Sequence, residues 1–319
     1  MSEKYFIITI DTEGDNLWGI RNSDWSISKI TNRNGEYLER FQELCEKFGF
    51  IPTYLVDYEM SLSKPFISMA EKHKENLEIG MHMHAWNTPP YYALSNCYGG
   101  NKPYIGEYPL DIQKKKVEFI TKQLEDVFQT KIISHRGGRW YIDSQYLKIL
   151  KAYGYMIDCT VTPGIDWTKN NGQTEGSHGI DFSKAFATKY EISERDVCKK
   201  GNGGMIEVPV SLLKKKRNIS YRLKHMDLWN RGNGNSEYMW LRPNGNNLNS
   251  MKSIIEEKNK KAEYLEFMIH SSELMPKGSP TFKTKASIEK LYSAIEELFS
   301  VIKSYHYDGI KLSDYGSLR

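Results

Sequence analysis

The chain has 319 residues and 39% hydrophobic content, enough to bury a sizeable core as one large α/β domain or two smaller ones. Lys and Arg exceed Asp and Glu by only four, 44 against 40, which argues against a nucleic-acid partner or strong membrane attraction. No run approaches the ~18–20 apolar residues that span a bilayer, and Met-Ser-Glu-Lys leads straight into a predicted strand without signal-peptide character. The four cysteines, Cys45, Cys97, Cys159 and Cys198, form no Cys-X-X-Cys pair and fit a reducing compartment, so a cytoplasmic protein is expected.

Residues 4–10 form a β-branched and aromatic run that predicts a buried strand, ending in Asp-Thr-Glu-Gly-Asp at 11–15. Apolar residues at helical spacing predict a helix over 35–47, stopped by Gly49. A second strand over 51–56 carries Asp57, Tyr58 and Glu59 at its tip. A short helix over 66–73 precedes a strand over 77–84, and residues 87–110 form a long Asn, Pro, Gly and Tyr-rich loop of the kind that serves as a lid. The clearest helix spans 111–128. A strand over 131–134 runs into His-Arg-Gly-Gly-Arg-Trp (135–140), and a helix over 144–153 stops at Gly154.

A strand over 155–161 leads to Pro163, Gly164, Asp166 and Trp167. Residues 165–203 lose any period and read as an excursion over the mouth of the sheet, with a strand resuming over 204–210. Residues 211–249 are irregular again. Then come a helix over 250–261, a strand over 264–269 ending in His-Ser-Ser-Glu (270–273), a helix over 284–306 and a strand over 308–312. Alternating strand and helix predicts a parallel sheet or barrel with right-handed crossovers. With no linker and no repeat, residues 1–319 read as one domain.

Chemistry gathers at the strand ends. His82 and His84, two apart in a strand, point to one face, where both imidazoles can turn a nitrogen to one metal ion. Asp11 and Glu13 share the same spacing at the tip of the first strand, where parallel α/β folds place their functional groups. One of the two carboxylates with the histidines makes three ligands and an open position, as in catalytic metal sites. The other is then left to act as a base toward water.

Taken in order, Asp11, Glu13, His82, His84, Arg136, Asp166 and His270 resemble the polysaccharide deacetylase superfamily, the NodB-homology group that includes carbohydrate esterase family 4. The resemblance implies an incomplete (β/α) barrel of about seven parallel strands, with long loops over its C-terminal face. Thr9-Ile10-Asp11-Thr12-Glu13 matches the first motif, which makes Asp11 the general base and Glu13 a metal ligand beside His82 and His84. Most members space the motif histidines four apart, not two. Arg136 matches the third motif and would hold the base ionised, although the usual proline is missing from 137–140. Asp166-Trp167 matches the fourth motif, with Asp158 the competing choice, and Phe267-Met268-Ile269-His270 the fifth. His270 would then be the general acid and Asp166 its orienting carboxylate.

Pro52-Thr53-Tyr54-Leu55 and His270-Ser271-Ser272-Glu273-Leu274 look like a cytoplasmic, WalW-like subgroup associated with surface polysaccharides. The implied activity is metal-dependent removal of an N-acyl group, most simply acetyl, from an amino sugar. The implied cofactor is a divalent ion, zinc first, with cobalt, nickel, iron or manganese as alternatives. The expected substrate is a nucleotide-linked or lipid-carrier-linked precursor, whose diphosphate the basic run 214–217 and the residues Tyr221, Arg222, Lys224 and His225 would suit. His135 and Arg139 are further candidates for a substrate carboxylate or phosphate, and Ser272 and Glu273 for sugar hydroxyls or for capping. The competing class is a sugar-binding protein that keeps the fold without catalysis.

Overall fold

A computed structural model describes residues 3–19, 24–95, 102–215, 237–260 and 263–318. Strand β1 (Tyr5–Thr12), helix α1 (Leu38–Lys47), β2 (Pro52–Val56), α2 (Lys64–Lys72) and β3 (Glu78–Met83) come first. Helix α3 (Leu110–Phe128), β4 (Ser134–Gly137), α4 (Ser144–Ala152) and β5 (Ile157–Asp158) continue the alternation. Then follow β6 (Tyr190–Ser193), β7 (Asp196–Lys200), β8 (Ile206–Glu207), β9 (Leu212–Lys214) and β10 (Tyr238–Trp240). Helix α5 (Leu248–Lys258), β11 (Tyr264–His270), α6 (Lys285–Ser304), β12 (Asp308–Gly309) and α7 (Leu312–Ser317) complete the fold.

Seven strands run parallel in the order β11-β1-β2-β3-β4-β5-β8, the incomplete (β/α) barrel that the sequence implied. No ladder joins β8 back to β11 among the described residues. The seam is crossed instead by single bonds, from Tyr264 Oη to Pro209 O (2.8 Å) and from Glu266 N to Ser211 Oγ (3.0 Å).

The period of two along each strand sorts the core into two faces. Phe6, Ile8 and Ile10 of β1, Ile79, Met81 and Met83 of β3, and Leu265, Phe267 and Ile269 of β11 face outward into one cluster with the helices. Helix α6 lays Ile288, Leu291, Ile295, Leu298 and Ile302 onto that cluster at 3.6-residue spacing. Each such side chain, fully buried, contributes about 1.5–3 kcal/mol. The alternate residues Ile7, Leu55, Ile157, Val208 and Tyr264 form a second, smaller cluster inside the barrel. Leu312 and Tyr315 of α7 close it from below. Leu312 N donates to Thr53 Oγ1 and Ser313 N to Glu78 Oε2, both at 3.1 Å, so residues near the start of β2 and β3 cap this helix. The opposite end, at the strand C-termini, is left for the site.

The strand expected over 131–134 lies instead at 134–137, so His135 and Arg136 are inside it rather than after it. Both are fully buried, and each has a carboxylate partner that makes a polar strand affordable. The stretch 165–203 is not wholly irregular. Its last part is the hairpin β6–β7, which adds to the sheet antiparallel to β8. The strand expected over 308–312 is only two residues long, because α7 begins at Leu312. Among the described residues no helix is long and apolar enough to cross a membrane.

Candidate metal centre

Glu13, His82 and His84 meet at the C-terminal end of the barrel, all buried, with ligand atoms within 4.8 Å of one another. His84 Nε2 is 2.8 Å and His82 Nε2 3.5 Å from Glu13 Oε2. Ligand atoms around a tetrahedral zinc with bonds of ~2.0–2.2 Å lie about 3.3 Å apart, so the set fits one ion. His82 Nδ1 donates to the Arg136 carbonyl at 3.0 Å, which turns Nε2 toward Glu13; burial would lower this imidazole, but Asp11 and Glu13 outweigh it and raise His82 above its usual value. Burial pushes His84 down to about 4, against the pull of Glu13, and keeps its imidazole neutral as a ligand must be. His84 Nδ1 has no partner among the described residues, and Gly138 lies so close that a Cβ there would come within 2.5 Å of it.

The Glu13 loop is held from several sides. Its backbone carbonyl accepts from Asn34 Nδ2 (2.8 Å), its N–H donates to Ser271 Oγ (3.1 Å), and Gly14 N donates to Asp57 Oδ2 (2.8 Å). Trp18 Nε1 donates to Glu13 Oε1 (3.2 Å), and its ring packs edge-on against His84. Burial alone would raise the Glu13 carboxyl; His270, His82 and His84 together hold it well below the usual range. Beneath the loop, burial raises both Asp57 and Glu59; the Glu13 charge raises Asp57 further and Asp57 raises Glu59, to about 9, so Glu59 retains its proton.

Asp11 stands beside the ligands but binds elsewhere. Its Oδ1 accepts from Arg136 Nη1 (2.6 Å), which leaves Oδ2 facing inward, 3.7 Å from His270 Nε2 and 4.0 Å from His82 Nε2. Burial would raise this carboxyl, but Arg136 and the two histidines outweigh it and hold Asp11 below its usual value. Arg136 is itself fixed at three points, with Nε on the Cys159 carbonyl and Nη2 on Glu266 Oε1. Glu266 also accepts from Thr9 Oγ1 (2.6 Å). Sequence reasoning passed over Glu266. Its signal is a lone acid in the middle of an otherwise apolar strand.

His270 closes the group from β11, with Nε2 3.7 Å from Asp11 and 3.8 Å from Glu13. The carboxylate at its other face is Glu273, 3.5 Å from Nδ1, whose Oε2 also accepts from the His270 backbone N–H (2.9 Å). Arg242 holds the far oxygen at 2.9 Å. The carboxylate expected here was Asp166. That residue is exposed, its Oδ1 accepts from Thr168 N (2.8 Å), and among the described residues it makes no ion pair with His270. The competing choice, Asp158, is buried against His135 Nδ1 and Thr160. A tight turn over 271–274 brings Glu273 back to His270.

Glu273 also carries a pH signature. Burial would raise it, but Arg242 and His270 bring it down to about 2, against 4.5 for a free glutamate. A depressed carboxyl contributes stability that is complete above pH 4.5 and is lost as pH falls toward 2. The shift corresponds to roughly 3 kcal/mol. Urea unfolding at pH 5 and pH 3 is expected to show wild type losing more stability than Glu273→Gln over this interval. Equal losses in the two proteins would refute the assignment.

Three tryptophans gather near these strand ends. Trp140 and Trp167 lie nearly parallel with ring centres 6.5 Å apart, and Trp240 packs 5.5 Å from Trp140. Trp140 also lies over the Arg136 guanidinium, at 5.2 Å. Of the other residues singled out, His135 is spent inside the fold, bonded to Asp158 and 3.1 Å from Tyr146 Oη. Arg139 is half-buried over the Tyr104 ring, and Ser272 is buried in the turn after His270. Lys214 pairs with Glu237 at 3.6 Å, while the rest of the basic segment, from 216 to 225, falls outside the described residues.

No family profile matches the chain, and no curated protein sequence matches it. Its likeness is to solved structures. A "putative polysaccharide deacetylase" from Mycobacterium smegmatis matches with a TM-score of 0.55 at 13% identity, covering 99% of this chain and 89% of that one. A "putative glycoside hydrolase/deacetylase" from Parabacteroides distasonis gives 0.58 at 9% identity, over 99% and 70%. The 4-alpha-glucanotransferase of Thermococcus litoralis gives 0.52 at 11% identity, over 100% of this chain but 41% of that one. At these identities the likeness is one of fold. Proteins described as deacetylases share it with a glucanotransferase, so the chemistry has to come from this chain's own side chains.

Proposed function

We propose that this protein is a metal-dependent carbohydrate deacetylase of the polysaccharide deacetylase superfamily, which hydrolyses the N-acetyl amide of an amino sugar. The observation that supports it best is the meeting of the Glu13–His82–His84 set with Asp11, locked to Arg136, and His270 at one end of the barrel. A divalent ion held by Glu13, His82 and His84, zinc or one of cobalt, nickel, iron and manganese, would supply a Lewis acid for the acyl carbonyl and for water.

The protein's own groups account for the protons. Asp11 Oδ2, kept ionised by Arg136 on the other oxygen, takes the proton of the attacking water. His270 Nε2 delivers a proton to the departing nitrogen, without which an amine is too poor a leaving group for the amide to break. Glu273, 3.5 Å from Nδ1, places its charge on the far side of the imidazole from the reacting groups. Water is consumed, and acetate and a free amino sugar are released. The tryptophan wall offers flat apolar faces for a sugar ring.

On the same reading the substrate is a nucleotide-linked or lipid-carrier-linked precursor of a surface polysaccharide, handled in the cytoplasm. Cys45, Cys159 and Cys198 are all free thiols, which suits a reducing compartment. The test is acetate release from nucleotide-linked and lipid-linked N-acetylamino sugars, with metal content measured on the same preparation. Acetate and new amine are expected in equal amounts, stopped by chelation and restored by zinc. Protein that takes up no divalent ion, or that binds the glycan and releases nothing, would sink the reading.

A further inference from the structure

We propose that Lys102, backed by Arg139, is a subsite for an anionic group on the substrate, a carboxylate or a phosphate ester, set one indole ring away from Glu13. That this anion belongs to the deacetylated molecule rests on the reading above; the anion subsite itself does not. Lys102 Nζ stands 4.2 Å from the ring centre of Trp25 and 5.7 Å from that of Trp18. Trp18 is the indole that donates to Glu13 Oε1 and packs against His84. The ammonium is therefore separated from the candidate metal ligands by a single side chain.

Arg139 reinforces it. One Nη donates to the Lys102 carbonyl and the other to Asn171 O (2.9 Å), and the guanidinium stacks 3.9 Å over Tyr104. The residue has a left-handed backbone (φ 59°), a conformation uncommon outside glycine. Arg139 is thus anchored to the segment that carries Lys102, and each of the two cations lies against an aromatic face.

Neither cation forms an ion pair with a carboxylate among the described residues. Burial and the Arg139 charge both push the Lys102 ammonium below its usual range. Asp24, close to Trp25 in sequence, is already paired with Lys29. Glu107, whose charge does reach Arg139, is itself taken up by backbone donors, Tyr104 N and Thr174 N at 2.6 Å and Gln173 N at 2.9 Å. Like charges held together on half-buried aromatic surfaces repel, and an arriving anion relieves that repulsion while gaining a charge-assisted bond. The anion has two possible sources, a uronic-acid carboxylate in the same oligosaccharide or the diphosphate of a nucleotide or lipid carrier.

The experiment is calorimetric titration of the full-length protein, its metal content measured, with uridine 5′-diphosphate, with glucuronate and with neutral N-acetylglucosamine. Wild type is compared with Lys102→Met, which keeps an aliphatic stem on Trp25, and with Lys102→Glu. At least one anion is expected to bind wild type, about tenfold more weakly to Lys102→Met, and not to Lys102→Glu, with metal content unchanged throughout. Preference for the diphosphate assigns the carrier source and preference for glucuronate the uronate source. The proposal is overturned if neither anion binds wild type, or if every anion that binds wild type binds Lys102→Met as tightly, as an anion seated only on the metal would. Failure of the deacetylase reading would show as absent acetate release and would leave these binding curves as they are.

Discussion

Asp11→Asn is expected to lower kcat for acetate release by ~10²–10⁴-fold, the usual contribution of a general base, while the protein keeps its divalent ion. Asparagine has the same shape, and its amide oxygen can still accept from Arg136 Nη1, so the geometry around the strand end survives. What goes is the inward oxygen that takes a proton, the one now 3.7 Å from His270 Nε2. Arg136 would retain Glu266 as a charged partner, which guards against an unpaired buried guanidinium. The check is steady-state kinetics beside a metal assay and a thermal melt. A variant that melts normally, holds its ion and still turns over at the wild-type rate would exclude Asp11 as the base.

The second large effect belongs to the ligands. His84→Ala should cut metal occupancy from near one ion per chain to near none, and activity with it, because only Glu13 and His82 of the set remain. A readout independent of catalysis is the thermal shift with zinc. An ion that binds only the folded state stabilises it by about 2.7 kcal/mol at a concentration one hundred times its Kd. Wild type should show that shift and His84→Ala should not. Equal shifts in both proteins would place the ion elsewhere.

Much of this site can be read from spacing. Asp11 with Glu13 and His82 with His84 are legible because a strand repeats every two residues, and such pairs at a strand tip must share a face. The barrel is legible from the alternation of strands and helices. The carboxylate behind His270 is not, because the turn at 271–274 folds Glu273 back onto the residue three before it, and no periodicity announces that bond. A motif match pointed to Asp166, which lies exposed after the fifth strand. The strand at 134–137 was displaced in the sequence reading for a related reason. Buried charges such as Arg136 look like loop residues until their partners, here Asp11 and Glu266, are brought from 125 and 130 positions away.

The sheet order has a consequence for how such a chain is made. Asp11 lies directly across from His270 in the β1–β11 ladder, so the proposed base and acid are neighbours although 258 residues of chain separate them. At translation rates of ~5–20 residues per second, β1 waits on the order of tens of seconds for that partner. Through that interval β2 covers one side of β1, and the other side is an apolar strand edge open to foreign pairing. Assembly of the site is therefore a late event governed by long-range closure, which topology makes slow. A nascent chain stalled before residue 264 would hold all three candidate metal ligands and the proposed base, without the proposed acid.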